Sequence, residues 1–277
     1  MGMHTRRWIT GLCALPIFLL GIFWDQGDWL AAAVVSVSFF LAWAEMYNLY
    51  GIPHRRTLLG WQNCLALLFF ICTVQHRFVY LLSISFLFFW GSCLITIRRT
   101  VAGSRYEIAT HGLTLIYLLY PLACFVYLRS LENGPSYLFF MLAVACFTDI
   151  GGFYGGRWMG RNKLAPQISP NKTWEGAVAG AAFSVAAVLL TAVYHSVFLG
   201  YTLWYSSPHR YGSVLIVTVL MSAIGQIGDL CESAMKRDAG AKDSGSSFTG
   251  HGGFLDMMDA MLWIGPAMLV YVILWQP

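Results

Sequence analysis

Gly212-Ser-Val-Leu-Ile-Val-Thr-Val-Leu-Met-Ser-Ala-Ile-Gly-Gln-Ile-Gly-Asp-Leu-Cys231 runs straight into Glu232-Ser-Ala-Met-Lys-Arg-Asp-Ala-Gly-Ala-Lys-Asp-Ser-Gly-Ser-Ser-Phe-Thr-Gly-His-Gly-Gly-Phe-Leu-Asp-Met-Met-Asp259. The first part is an apolar run of about 20 residues, the length a helix needs to cross a bilayer core. The second part is dense in charge: Glu232, Asp238, Asp243, Asp256 and Asp259 stand with Lys236, Arg237 and Lys242, just past Asp229. Glycines are interspersed at 240, 245, 250, 252 and 253. Carboxylates that hold a divalent cation, cations that hold phosphates and small residues that admit an anion to the backbone share one loop. The combination points to polyphosphate chemistry at a membrane surface.

The rest of the chain repeats the first half of that pattern. The 277 residues are 58% hydrophobic and only 11% charged, and mean hydropathy is positive, which excludes an ordinary soluble domain. Apolar runs fall at about 8–24, 29–50, 58–75, 78–97, 111–128, 136–155, 177–199, 212–231 and 260–275. These are nine expected transmembrane helices in an all-α, polytopic membrane protein, each near the ~20-residue requirement. Residues 1–135 are expected to be N-terminal membrane helices, and 136–277 a catalytic region with polar loops at 156–176 and 232–259. Cys13, Cys64, Cys72, Cys93, Cys124, Cys146 and Cys231 are scattered singly, mostly within apolar runs. They read as packing residues, not as a disulfide framework.

Charge tests the drawing. With the N-terminus inside, only Arg77, Arg129 and Arg210 of the 17 Lys and Arg residues fall outside. Such a positive-inside bias places both large loops at the cytoplasmic face. A cleaved signal peptide is the other reading of Arg6, Arg7 and the run after them, but no small-x-small site comes next and further spans begin at once.

Ionisable groups at membrane depth are functional candidates. Asp149 ends an apolar run and precedes Gly151, Gly152, Gly155 and Gly156. It reads equally as a site residue or as a helix-end carboxylate, with glycines for close helix packing. Glu45, beside Asn48, reads as an interfacial or packing residue. The stretch Lys163-Leu-Ala-Pro-Gln-Ile-Ser-Pro-Asn-Lys-Thr-Trp-Glu175 is stiffened by prolines that exclude helix. Its Asn171-Lys172-Thr173 lacks the glycines and preceding strand of a phosphate loop, so that assignment is rejected.

Asp229, Glu232, Ser233 and Lys236 stand at i, i+3, i+4 and i+7, one face of a helix provided the helix continues past Lys236. Asp256 and Asp259 share a face at the start of the last helix, where the dipole favours carboxylates even without a function. With Asp229 they make a hard-oxygen site of the kind magnesium takes beside nucleotide phosphates. His251, ahead of two glycines, is placed to contact a phosphate. No second His or Cys lies at zinc-ligand spacing.

These residues resemble the phosphatidate cytidylyltransferase (CDP-diacylglycerol synthase) family. Its signature runs Ser-x-x-Lys-Arg, four residues, Lys-Asp, then a Leu-Pro-x-His-Gly-Gly-x-x-Asp-Arg-x-Asp tail. Here it is matched by Ser233, Lys236, Arg237, Lys242, Asp243, Phe248, His251, Gly252, Gly253, Asp256 and Asp259. The 163–175 stretch resembles the family's Lys-Leu-Ala-Pro…Ser-Pro-x-Lys-Thr-Trp-Glu segment, and Asp149 with its glycines resembles the family's segment just before that. Thr249 stands where the family has Pro or Gly, and Met257 where it has Arg. Methionine cannot grip a phosphate bidentately as arginine does.

The resemblance implies transfer of a cytidylyl group from CTP to phosphatidate, with Mg2+ as cofactor and a second cation as an option. Asp229 and Asp256 are the expected metal ligands, with Asp259 and Asp243 as further or outer ligands. Lys236, Arg237, Lys242 and His251 are expected on phosphates, with Ser233 and Asp149 lining the substrate site. Ser169 and Lys172 are expected near the lipid headgroup. Expected partners are the two substrates and membrane lipids, a homodimer being the assembly to look for, with no nucleic acid. The expected location is a bacterial inner membrane, active site toward the cytoplasm. Two alternatives stand beside this reading, a CTP-dependent lipid kinase and a non-catalytic relative. A transporter fits poorly, since the charges gather on one side instead of threading the midplane.

Overall fold

The computed structural model describes residues 22, 28–52, 60–61, 64, 67–68, 70–72, 78–99, 104–198, 211–245 and 252–275. The chain divides into two compact units, residues 1–130 with 239–258, and residues 131–238 with 259–277.

In the first unit, α1 spans Asp28–Leu49 and α2 spans Phe78–Arg99. Next come α3 (Ser104–Thr114), a π-helical turn at Leu115–Leu119, and α4 (Tyr120–Ser130). Pro121 explains the π turn: it has no N–H to continue the ladder and its ring crowds the preceding carbonyls, so the helix widens just ahead of it. Phe39, Trp43, Met46 and Tyr47 are buried along α1, at the i, i+4, i+7, i+8 spacing of a single helical stripe. Phe39 meets Phe88 of α2 edge to face, with ring centroids 6.0 Å apart. A buried polar network crosses this core. The Tyr47 hydroxyl pairs with Nδ1 of His111, and Thr96 Oγ1 lies 3.0 Å from its Nε2.

The second unit holds α5 (Gly134–Met159), α6 (Trp174–Phe198) and α7 (Tyr211–Asp238). Of α8 (Phe254–Trp275), it contains residues 259–275. Helices α5 and α6 pack through small residues. A Cβ added to Gly180 would stand 2.7 Å from the Thr148 carbonyl oxygen, and one on Gly176 would stand 2.9 Å from that of Gly152. In lipid there is little hydrophobic drive between helices, so such close backbone approach is what holds them.

Between α5 and α6 the chain forms a two-stranded antiparallel hairpin, β1 (Lys163–Ala165) and β2 (Ser169–Thr173), with Lys163 opposite Thr173. The proline-stiffened loop is therefore a hairpin, a small addition to the otherwise helical fold. Glu175 closes its base. Its carboxylate accepts from the N–H of Arg161 (3.1 Å) and of Asn162 (3.2 Å) and from Nδ2 of Asn162 (2.7 Å).

Among the described residues, six helices are long and apolar enough to cross a membrane: Leu30–Leu49, Ser104–Ser130, Gly134–Met159, Trp174–Val193, Gly212–Asp238 and Phe254–Trp275. Ser83–Arg98 is a shorter apolar helix. The protein is an all-α polytopic membrane protein. The spans drawn at 8–24 and 58–75 fall mostly outside the described residues. Helix boundaries move outward, most usefully at the site, where α7 continues to Asp238 and α8 begins at Phe254. Hydropathy falls where charged residues cluster, whereas the backbone ladder continues through them. At 28 residues, α7 is about 42 Å long. That exceeds the ~30 Å hydrocarbon core, so its acidic and basic turns reach beyond it.

Candidate active site

Within the second unit, a cavity of about 640 Å3 is walled by α5, the hairpin, α6 and α7. Asp149, Gly152, Gly156 and Arg157 line it from α5, and Ser169, Asn171 and Lys172 line it from β2. Gln226 and Asp229 close it from α7. Polar contacts tie its walls together. Thr148 Oγ1 on α5 donates to Ser222 Oγ on α7 at 2.8 Å, and Gln226 Nε2 donates to the Ala177 carbonyl on α6 at 3.3 Å. The Lys172 ammonium forms an ion pair with the Asp229 carboxylate. At the end of α7, Arg237 Nε donates to the Ile168 carbonyl at the hairpin turn, 3.3 Å away.

Asp149 is not a helix-end carboxylate, because α5 runs on to Met159. Gly151 and Gly155 meet α6 at close range, while Asp149, Gly152 and Gly156 line the cavity. Asp149, Ser169, Lys172 and Asp229, singled out from distant parts of the sequence, are brought to one place. Thr148, Arg157, Asn171 and Gln226 are additions. Gln226 precedes Asp229 by three residues, so it belongs to the same helix face, and that spacing was the available signal.

Asp229 also belongs to an acidic group with Glu232 and Asp259, whose carboxylate oxygens lie within 4.8 Å of one another. The α7 face expected from spacing forms as drawn. Ser233 Oγ donates to Asp229 Oδ1 at 3.4 Å, and Lys236 pairs with the fully buried Glu232. Asp259 reaches the group because α8 crosses α7 at glycines. A Cβ on Gly228 would stand 2.8 Å from the Asp259 carbonyl oxygen and 2.7 Å from Trp263 Cδ1. One on Gly225 would stand 2.9 Å from Ile264 Cδ1. Three hard-oxygen donors gathered this closely suit a small divalent cation. Lys172 and Lys236 offset part of their mutual repulsion.

Asp256, expected to share the cation with Asp229, is engaged within its own segment. Its Oδ2 accepts from the N–H of Ser244 (2.9 Å), the hydroxyl of Ser244 (2.8 Å) and the N–H of Gly253 (2.7 Å). Gly252 takes φ +85°, and a Cβ there would stand 2.6 Å from that same oxygen. The anion that these glycines admit to the backbone is thus one of the protein's own carboxylates. Lys242 and Asp243 are exposed; His251 lies outside the described residues.

A sequence model of the cytidylyltransferase family matches residues 5–275. The chain is 34% identical over 247 residues to a phosphatidate cytidylyltransferase of Brucella suis, covering 89% of this chain and 83% of the relative. It is 30% identical over 270 residues to the Bacillus subtilis phosphatidate cytidylyltransferase, covering 94% of each. A Staphylococcus saprophyticus phosphatidate cytidylyltransferase is 34% identical over 183 residues, or 66% of each chain. With the family matched from near one end to near the other, the chain belongs to the cytidylyltransferase family.

Proposed function

We propose that the protein is a membrane cytidylyltransferase that converts CTP and phosphatidate to CDP-diacylglycerol and pyrophosphate. A phosphatidate phosphate oxygen attacks the α-phosphorus of CTP. A new P–O bond forms, the bond to the β-phosphate breaks, and pyrophosphate leaves with that electron pair. The attacking oxygen is already anionic at neutral pH, so no strong base is required. The protein's task is alignment and charge neutralisation.

The observation that carries this reading is the Lys172–Asp229 ion pair at the cavity wall, which joins the two polar segments bearing the family resemblance. In this reading the cavity accepts substrate. Lys172 and Ser169 face the lipid phosphate, while Lys236, Arg237, Lys242 and His251 serve the nucleotide phosphates. Asp229, Glu232 and Asp259, which gather together, would hold Mg2+, with Asp256 the further ligand that the family resemblance implies. A bound magnesium ion supplies charge neutralisation on the phosphates and on the departing pyrophosphate. The lipid's acyl chains stay in the bilayer while its headgroup enters the cavity, and a cytoplasmic-facing site in a bacterial inner membrane gives CTP direct access.

Purified protein given CTP and phosphatidate tests the proposal. Pyrophosphate released one for one with CDP-diacylglycerol is the expected result. Release of CDP identifies a lipid kinase, and release of neither identifies a non-catalytic relative. The names of the relatives favour the first outcome.

A further inference from the structure

Glu45 is a carboxylate in an apolar helix, 4% exposed, and no step of the proposed reaction uses it. Its Oε1 accepts from the N–H of Phe254 at 2.8 Å, and its Oε2 from the N–H of Leu255 at 2.9 Å. The Ser244 hydroxyl approaches the same Oε2 at 3.3 Å. The first N–H groups of a helix have no intrahelical partner and carry the positive end of its dipole. Glu45 satisfies two of them on α8 from about 200 residues upstream. A buried carboxylate is costly unless hydrogen-bonded in this way, so the contact supports both sides.

The surroundings are shaped to it. A Cβ on Gly245 would stand 2.8 Å from Glu45 Oε1, and one on Gly253 would collide with Glu45 Oε2 and with Ser244 Oγ. The Ser244 hydroxyl has one proton and two carboxylates to serve. Asp256 Oδ2 at 2.8 Å is the closer, and Glu45 at 3.3 Å the farther. Glu45 and Asp256 therefore share Ser244 and divide the N–H groups of Gly253, Phe254 and Leu255 between them.

We infer that Glu45 is a positioning residue for the reaction: from α1 it fixes the first turn of α8 and the segment at Ser244, and so aims Asp256. The inference rests on the proposed function for its catalytic consequence, but not for its structural one. Glutamine has the same shape but only one acceptor oxygen, and its NH2 group turns a donor toward a backbone donor. Aspartate keeps the anion at shorter reach.

The experiment compares wild type, Glu45→Gln and Glu45→Asp as purified full-length protein. Amide exchange of a peptide covering 252–258 is expected to be about 10-fold faster in Glu45→Gln, the effect of losing one buried charged hydrogen bond. Pyrophosphate release is expected to fall at least about 10-fold, with the magnesium midpoint raised and the KM for phosphatidate unchanged. Glu45→Asp should recover part of both. Wild-type exchange in Glu45→Gln would overturn the inference. So would loss of activity that tracks thermal unfolding alone with an unchanged magnesium midpoint. If the wild type itself releases no pyrophosphate, the function proposal fails, and the exchange comparison still decides the role of Glu45.

Discussion

Lys172, on the second strand of the hairpin, is ion-paired with Asp229 on α7, 57 residues away in the chain. Both side chains are 27% exposed, so the pair is neither solvated nor sealed, and Lys172 can reach an anion in the cavity without leaving the site. Lys172→Met keeps the length and removes the charge, and is expected to lower pyrophosphate release about 100-fold, as for loss of one transition-state donor. Lys172→Arg should retain more. Exchanging the charges, Lys172→Asp with Asp229→Lys, should recover thermal stability and leave turnover low. Initial rates and melting curves on the same preparations check both halves.

The acidic group makes a second prediction. Chelation should abolish turnover and added Mg2+ restore it. Asp229→Asn and Asp259→Asn should each raise the half-saturating magnesium concentration and lower the maximal rate about 100-fold or more. Asp256→Asn is expected to abolish pyrophosphate release. Turnover that survives it would remove Asp256 from the metal assignment and leave it the loop anchor seen against Ser244 and Gly253.

Close approach of α7 and α8 gives a stability prediction. Gly228→Ala drives a Cβ to 2.8 Å from the Asp259 carbonyl oxygen and 2.7 Å from Trp263, and overpacking of this kind costs about 1–3 kcal/mol. Gly212→Ala, in the same helix with nothing within 4 Å of the added carbon, should be neutral or stabilising by about 0.5–1 kcal/mol. Thermal melts of the two variants in one detergent compare them directly.

Met257 comes directly after Asp256 on the first turns of α8, where the resembling family carries arginine. Met257→Arg restores a bidentate phosphate donor and is expected to raise pyrophosphate release. An unchanged rate would mean that this position does not limit the enzyme.

Much of the site was legible because its spacing is local. Asp229, Glu232, Ser233 and Lys236 lie on one face as soon as α7 is drawn past Lys236, and the helix does run to Asp238. Asp149, Ser169 and Lys172 were marked by charge, glycine and proline at the ends of apolar runs, and the cavity collects them. Hydropathy could not supply pairing over long separations. Glu45 read as an interfacial or packing residue; it is buried, and its partners Ser244, Phe254 and Leu255 lie 199 to 210 positions away. Gly225 and Gly228 carried no message until α8 was seen against them. The hairpin was missed because three- and five-residue strands are too short for an alternating pattern to register.

The most direct measurement tracks the phosphorus atoms of CTP. CTP labelled at the α-phosphorus is incubated with phosphatidate and purified protein, and a parallel sample carries the label at the γ-phosphorus. The α-label is predicted to enter the lipid as CDP-diacylglycerol, with the γ-label leaving as pyrophosphate. Finding the γ-label in the lipid, or no label in either product, would contradict cytidylyl transfer.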